Sequence, residues 1–175
     1  AALGLVRVVS HAAPEVTTLI LIARLVPFTL FGPLAGAFVD RWSRRTVMIV
    51  TDLLRAVLAL PFLFVHRPED LWIAYLCTAL LSVFSVFFEA AKNAALPNIT
   101  GEKDLLAGNA LMFSSRFLLM SLGAALGGWT SAHFGYKAAF IINAISFLVS
   151  AYSVWLVPDE ETWQRTTSEA RPRKL

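Results

Sequence analysis

Apolar residues gather in five stretches, 17–39, 46–65, 71–88, 105–132 and 138–157, separated by short polar connectors. Each comes near or above the roughly 20 residues that carry an α-helix across a ~30 Å hydrocarbon core. Inside them lie only four charged side chains, Arg24, Asp52, Arg55 and Arg116. The pattern predicts an all-α integral membrane bundle with five complete transmembrane helices. Residues 1–9 are apolar except for Arg7 and too short to span, so they read as the end of a preceding helix. The chain is therefore expected to be a fragment, with a transmembrane half-domain over 1–157 and a polar tail over 158–175.

Composition agrees with this reading. Of 175 residues, 57% are hydrophobic and 15% charged, against roughly 25% charged in a soluble globular domain. So few charges would not keep a compact monomer in water, and the apolar content is far too high for a disordered chain. The sole cysteine, Cys77, excludes a disulfide scaffold.

The net charge of +3 is an orientation signal and not a nucleic-acid footprint. Alternating connectors place Arg41, Arg44, Arg45, Lys92, Lys103, Arg165, Arg171, Arg173 and Lys174 on one side and Arg7, Arg67 and Lys137 on the other. Nine against three makes the first side cytoplasmic by the positive-inside rule. Trp72, Trp129 and Trp155 fall near span ends, where interfacial aromatics belong. Arg67-Pro68-Glu69-Asp70 and Phe134-Gly135-Tyr136 read as tight outer turns, and 91–104, with Pro97, Asn98 and Gly101, as the longest internal loop.

Polar groups are costly in hydrocarbon, so their faces should turn toward protein or a wet cavity. At helical spacing the third span aligns Tyr75, Thr78, Ser82, Ser85 and Glu89. The fourth aligns Asn109, Phe113, Arg116, Met120, Gly123 and Gly127, and the fifth Asn143, Ser146, Ser150 and Ser153. Small and hydroxyl residues also serve helix packing, which is the plainer account of the fifth stripe. Arg116 lies about ten residues into its span. It demands a carboxylate, a water-filled cavity or an anionic substrate group beside it. Asp52 and Arg55, three residues apart, either neutralise each other or take part in a proton relay. Arg24 is near enough to its span's end to reach headgroups or to line a pathway.

Gly32-Pro33-Leu34-Ala35-Gly36 is followed by Asp40-Arg41-Trp42-Ser43-Arg44-Arg45. Gly32 with Gly36, and Gly123 with Gly127, form small-xxx-small packing faces. The run Gly36, Asp40, Arg41, Arg44, Arg45 resembles motif A of the major facilitator superfamily, with Ser43 where that family usually has glycine. Further segments are similar to the drug- and siderophore-export branch of enterobactin exporters and macrolide-efflux permeases. They are Arg24-Leu25-Val26-Pro27, Asp52-Leu53-Leu54-Arg55, Ala95-Leu96-Pro97, Asn109-Ala110-Leu111, Gly127-Gly128 and Asn143-Ala144-Ile145-Ser146-Phe147.

The resemblance covers residues 1–157. It implies the N-terminal half of a twelve-helix transporter in the bacterial inner membrane, with a second six-helix half missing from this chain and the tail cytoplasmic. It also implies alternating access and proton-coupled efflux of small amphipathic molecules. Asp40 and Arg41 would gate, supported by Gly36, Arg44 and Arg45. Arg24, Asp52, Arg55, Glu89, Asn109 and Arg116 are the candidates for the substrate and proton pathway. The expected partners are the lipid bilayer and a small-molecule substrate, with no cofactor and no metal. The alternative is a non-transporting receptor or scaffold that reuses the fold. An enzyme is disfavoured: His11, His66 and His133 are scattered, and no nucleophile–base set, metal cluster or phosphate loop appears.

Overall fold

The computed structural model describes Leu5 and residues 14–100 and 104–157. These form four long helices and no strand: α1 (Pro14–Val39), α2 (Arg44–Ala59), α3 (Leu71–Thr100) and α4 (Leu105–Leu156). All four are long and apolar enough to cross a membrane, α2 together with the turn that follows it. The tail 158–175 and the basic residues Arg7, Lys103, Arg165, Arg171, Arg173 and Lys174 lie outside the described residues.

Helix α1 contains Pro27 and Pro33, each of which removes one backbone donor. The Thr29 hydroxyl donates to the carbonyls of Leu25 and Val26, 3.2 and 3.0 Å away, and so covers acceptors beside the first of them.

Helix α2 buries Val47, Met48, Thr51, Asp52, Arg55, Ala56 and Ala59, the three-and-four spacing of one continuous face. It ends before the end of the expected span, because Pro61 turns the chain into a 3-10 helix, Pro61–Phe64. A second 3-10 turn, Pro68–Asp70, leads into α3. There the Asp70 carboxylate accepts the backbone N–H groups of His66 and Arg67 at 3.2 and 3.1 Å.

Helix α3 departs from the sequence reading. The expected loop from residue 91 is instead helical through Thr100, Pro97 included. Tertiary packing outweighs the local signal: Ala91 and Ala95 are buried with Val39, Val47 and Met48 in one cluster.

The stretches 105–132 and 138–157 join in a single helical run of 52 residues. A straight helix of that length measures about 78 Å, more than twice a hydrocarbon core. Gly135 breaks it, with φ +78° and ψ 169°, a combination open in practice only to glycine. The expected turn is therefore present, and it divides α4 into a first arm, 105–134, and a second arm, 136–156.

The second arm runs antiparallel to α2. Arg45 donates to the Trp155 carbonyl. The Arg55 guanidinium lies over the Phe147 ring at 4.8 Å, and Phe62 stacks on Phe140 at 4.5 Å. Each step along α2 is thus matched by a step back along the arm. Helix α1 lies along α3, where Phe38 meets Phe87 edge to face at 5.4 Å. The first arm is the outlier, since no residue from 105 to 129 is buried.

Candidate functional site

The polar stripes do converge, but on fewer residues than expected. A cavity of about 610 Å³ opens between α1, α3 and both arms of α4. Its walls include Arg24, Thr78, Ser82, Ser85, Gly123, Gly127, Thr130, Asn143 and Ser146, together with the apolar Ile20, Phe62 and Phe140. The three apolar groups belong to a buried cluster that also holds Leu5, Val65, Leu71, Ala74 and Cys77.

Much of the hydroxyl surface is already used locally. Ser82 donates to the Thr78 carbonyl at 2.9 Å, Ser85 to Leu81 at 2.7 Å and Ser146 to Asn143 at 2.7 Å. Bonds of this kind let hydroxyls sit in an apolar bundle. The buried Thr78 Oγ1 makes no such bond among the described residues. Arg24 is the sole charged side chain in the cavity wall among the described residues.

The other charged candidates lie elsewhere. Asp52 and Arg55 are almost fully enclosed and form an ion pair across one helical turn. Arg55 is further held between the Phe88 ring, 4.3 Å from its guanidinium carbon, and that of Phe147, and its Nε donates to the Thr51 carbonyl at 3.4 Å. Ser150 of the second arm stands beside the Asp52 carboxylate.

Arg116 meets a carboxylate, the first of the three partners its position demands. Its Nη1 lies 3.4 Å from Glu89 Oε2, which also accepts from Lys92 at 2.8 Å. Asn109 is exposed on the first arm, away from the cavity. Sequence reasoning had Glu89 and Arg116 as separate candidates. Their pairing bridges two helices, and no spacing rule within one helix reveals it.

The motif around Asp40 occupies the turn between α1 and α2. Asp40 and Arg41 are exposed, and the Asp40 backbone N–H closes on the Gly36 carbonyl at 3.1 Å. Arg45 reaches the last turn of α4, where free carbonyls attract a cation. A methyl group built at Gly32, Gly36, Gly123 or Gly127 would meet nothing within 4 Å among the described residues. Among the described residues no side chain packs directly on these four glycines, and Gly123 and Gly127 border the cavity.

A family model described as Major Facilitator Superfamily matches residues 2–175. The chain is 28% identical over 158 residues to the MFS-type transporter YfiS of Bacillus subtilis (strain 168), an alignment covering 90% of this chain and 37% of that one. It is 28% identical over 139 residues to a putative bacilysin exporter, BacE, of the same organism, covering 79% and 34%. With macrolide efflux protein A of Enterococcus faecalis it shares 24% over 136 residues, covering 75% and 42%. The chain thus spans between a third and a little over two fifths of the length of these relatives. No solved structure matches it.

Proposed function

Since the chain belongs to the Major Facilitator Superfamily, a family of integral membrane transporters, we propose that it supplies the N-terminal half of a proton-coupled exporter of small amphipathic molecules. The observation that carries the proposal is the cavity. A space of about 610 Å³, lined mostly by apolar side chains and carrying hydroxyls, an amide and one arginine, sits within helices whose outer faces are greasy. A space of mixed apolar and polar lining inside the bundle suits an amphipathic solute. Relatives named as a bacilysin exporter and a macrolide efflux protein support the direction of transport.

In this reading α4 crosses the bilayer twice, once with each arm, which gives five complete spans. The Asp40 turn and the end of α3 face the cytoplasm of a bacterial inner membrane, as does the tail. The second half of the transporter covers the Gly32/Gly36 face, Gly123 and Gly127 border the cavity, and the two halves rock about a central site. Asp40 and Arg41 latch the closed state across that interface, with Gly36, Arg44 and Arg45 shaping the turn. Arg24 contacts substrate, while Glu89 with Arg116 and Asp52 with Arg55 carry charge compensation.

The test is efflux of fluorescent amphipathic dyes from proteoliposomes under an imposed pH gradient, for the intact transporter and its Asp40→Asn variant. Gradient-driven efflux that collapses in the variant at equal protein level supports the reading. Efflux indifferent to the gradient removes proton coupling, and unchanged efflux in the variant removes the gating role. Dyes that bind without crossing favour a receptor.

A further inference from the structure

Two buried clusters fix how α1 and α3 run. Ile20 shares one with Leu71 and Ala74, and Val39 shares the other with Ala91 and Ala95. The two helices therefore lie side by side and point the same way. Arg24, one turn past Ile20, comes level with Thr78, one turn past Ala74, and both stand in the cavity wall. Ser82 and Ser85 follow one and two turns farther along α3, about 6 and 10 Å beyond that level.

The polar groups of the wall are of two kinds. Ser82, Ser85 and Ser146 each give their single hydroxyl proton to a carbonyl of their own helix. What they keep for a ligand is lone pairs, which repel an anion and accept from a hydroxyl or amide N–H. The remaining donors include the Arg24 guanidinium, the Asn143 amide on the second arm, and Thr78 Oγ1, which has no hydrogen-bond partner among the described residues. No Asp or Glu lines the cavity among the described residues, so the charge of its wall is positive. Most of the remaining surface is apolar, with Leu81, Leu126 and Phe140 among it.

From these observations we infer that the cavity binds an amphipathic anion, with its carboxylate or phosphate oxygens at Arg24 and Asn143 and its apolar body along the leucine and phenylalanine surface. The inference rests on the proposed transporter and names the class of solute it carries. A guanidinium holds either anion through paired, charge-assisted N–H bonds, and these gain strength where water is scarce. A cationic amphipath would meet the Arg24 charge with no carboxylate in the wall to offset it, and a neutral one would leave that charge uncompensated. The serine lone pairs confine the anionic end to the Arg24 level. Hydroxyl or amide N–H groups about 6–10 Å farther along the same molecule would meet Ser82 and Ser85. The volume, about 610 Å³, falls within the roughly 300–1,000 Å³ of sites that enclose molecules of drug size.

Head-group competition on the intact transporter tests this. Four fluorescent probes share one twelve-carbon tail and end in a carboxylate, a phosphate monoester, a trimethylammonium or a neutral amide. Their binding is read by fluorescence anisotropy in phosphatidylcholine nanodiscs, with empty nanodiscs subtracted. The carboxylate or the phosphate probe should bind roughly tenfold to a hundredfold tighter than the other two. Either anion in first place supports the inference, and the tighter of the two identifies the head group. Arg24→Gln should bring the four affinities together, and Arg24→Lys, which keeps the charge, should preserve their order. Equal affinities in the parent protein, a preference for the trimethylammonium probe, or an anion preference that survives Arg24→Gln overturns the inference. Should Arg24→Gln fail to fold, the order in the parent and in Arg24→Lys still decides. The readout needs no turnover. Arg24-dependent anion binding without efflux in proteoliposomes would sink the transporter reading and leave the anion site standing; gradient-driven efflux with no head-group preference would do the reverse.

Discussion

Arg116 Nη1 and Glu89 Oε2 stand 3.4 Å apart, 27 residues distant in sequence, and join the first arm of α4 to α3. A cation that would be costly in hydrocarbon is thereby given a partner on a neighbouring helix. Both side chains are partly exposed, Glu89 at 25% and Arg116 at 55%. A double-mutant cycle with Glu89→Gln and Arg116→Gln should give a coupling of about 0.2–1 kcal/mol, read from unfolding in mixed micelles.

The pair on α2 should behave differently. Asp52 and Arg55 are both buried, so removing one partner leaves the other charged and enclosed. Arg55→Ala or Asp52→Ala should each cost about 3–5 kcal/mol. The double replacement Asp52→Leu with Arg55→Met should cost less than either. Midpoints of thermal unfolding for the three variants check the ordering.

Gly135→Ala places a Cβ on a backbone at φ +78°. The expected cost is about 1–3 kcal/mol, although no described residue lies within 4 Å of the new methyl group. A lowered unfolding midpoint for Gly135→Ala, beside little change for Gly128→Ala in the first arm, would locate the strain in the backbone.

Asp70 tests the turn before α3. Hydrogen bonds from the backbone N–H groups of His66 and then Arg67 hold its carboxyl below the usual carboxylate range. Folding therefore favours the ionised form. The stabilisation is present above the unfolded pKa and is lost as pH falls through the depressed folded value. Asp70→Ala should speed amide exchange at His66 and Arg67 at neutral pH, relative to the parent, and the two proteins should converge in acid.

The sequence carried the membrane class and the element types because ~20-residue apolar runs admit few other solutions. It also carried the turn at Phe134-Gly135-Tyr136, where composition and geometry agree. The end of α3 was not legible. Residues 91–100 look like a polar loop with a proline, and only the burial of Ala91 and Ala95 against Val39, Val47 and Met48 makes them helix. The candidate site divided in the same way. Stripes within one helix, such as Thr78, Ser82 and Ser85, led to the cavity. Contacts between helices, such as Glu89 with Arg116 and Arg55 with Phe88 and Phe147, depend on packing angles that periodicity does not encode.

The antiparallel match between α2 and the second arm bears on how the protein is made. Arg45 and Trp155 are 110 residues apart, so at ~5–20 residues per second the ribosome delivers the arm roughly 5–20 s after α2. During that interval α2 enters the translocon or the lipid without Phe147 and Ser150. The short-range bond between Asp52 and Arg55 can close as soon as one helical turn exists. It lets the segment partition as a neutral unit while the rest of its cradle is still being synthesised, and the late arrival of the second arm then seals it.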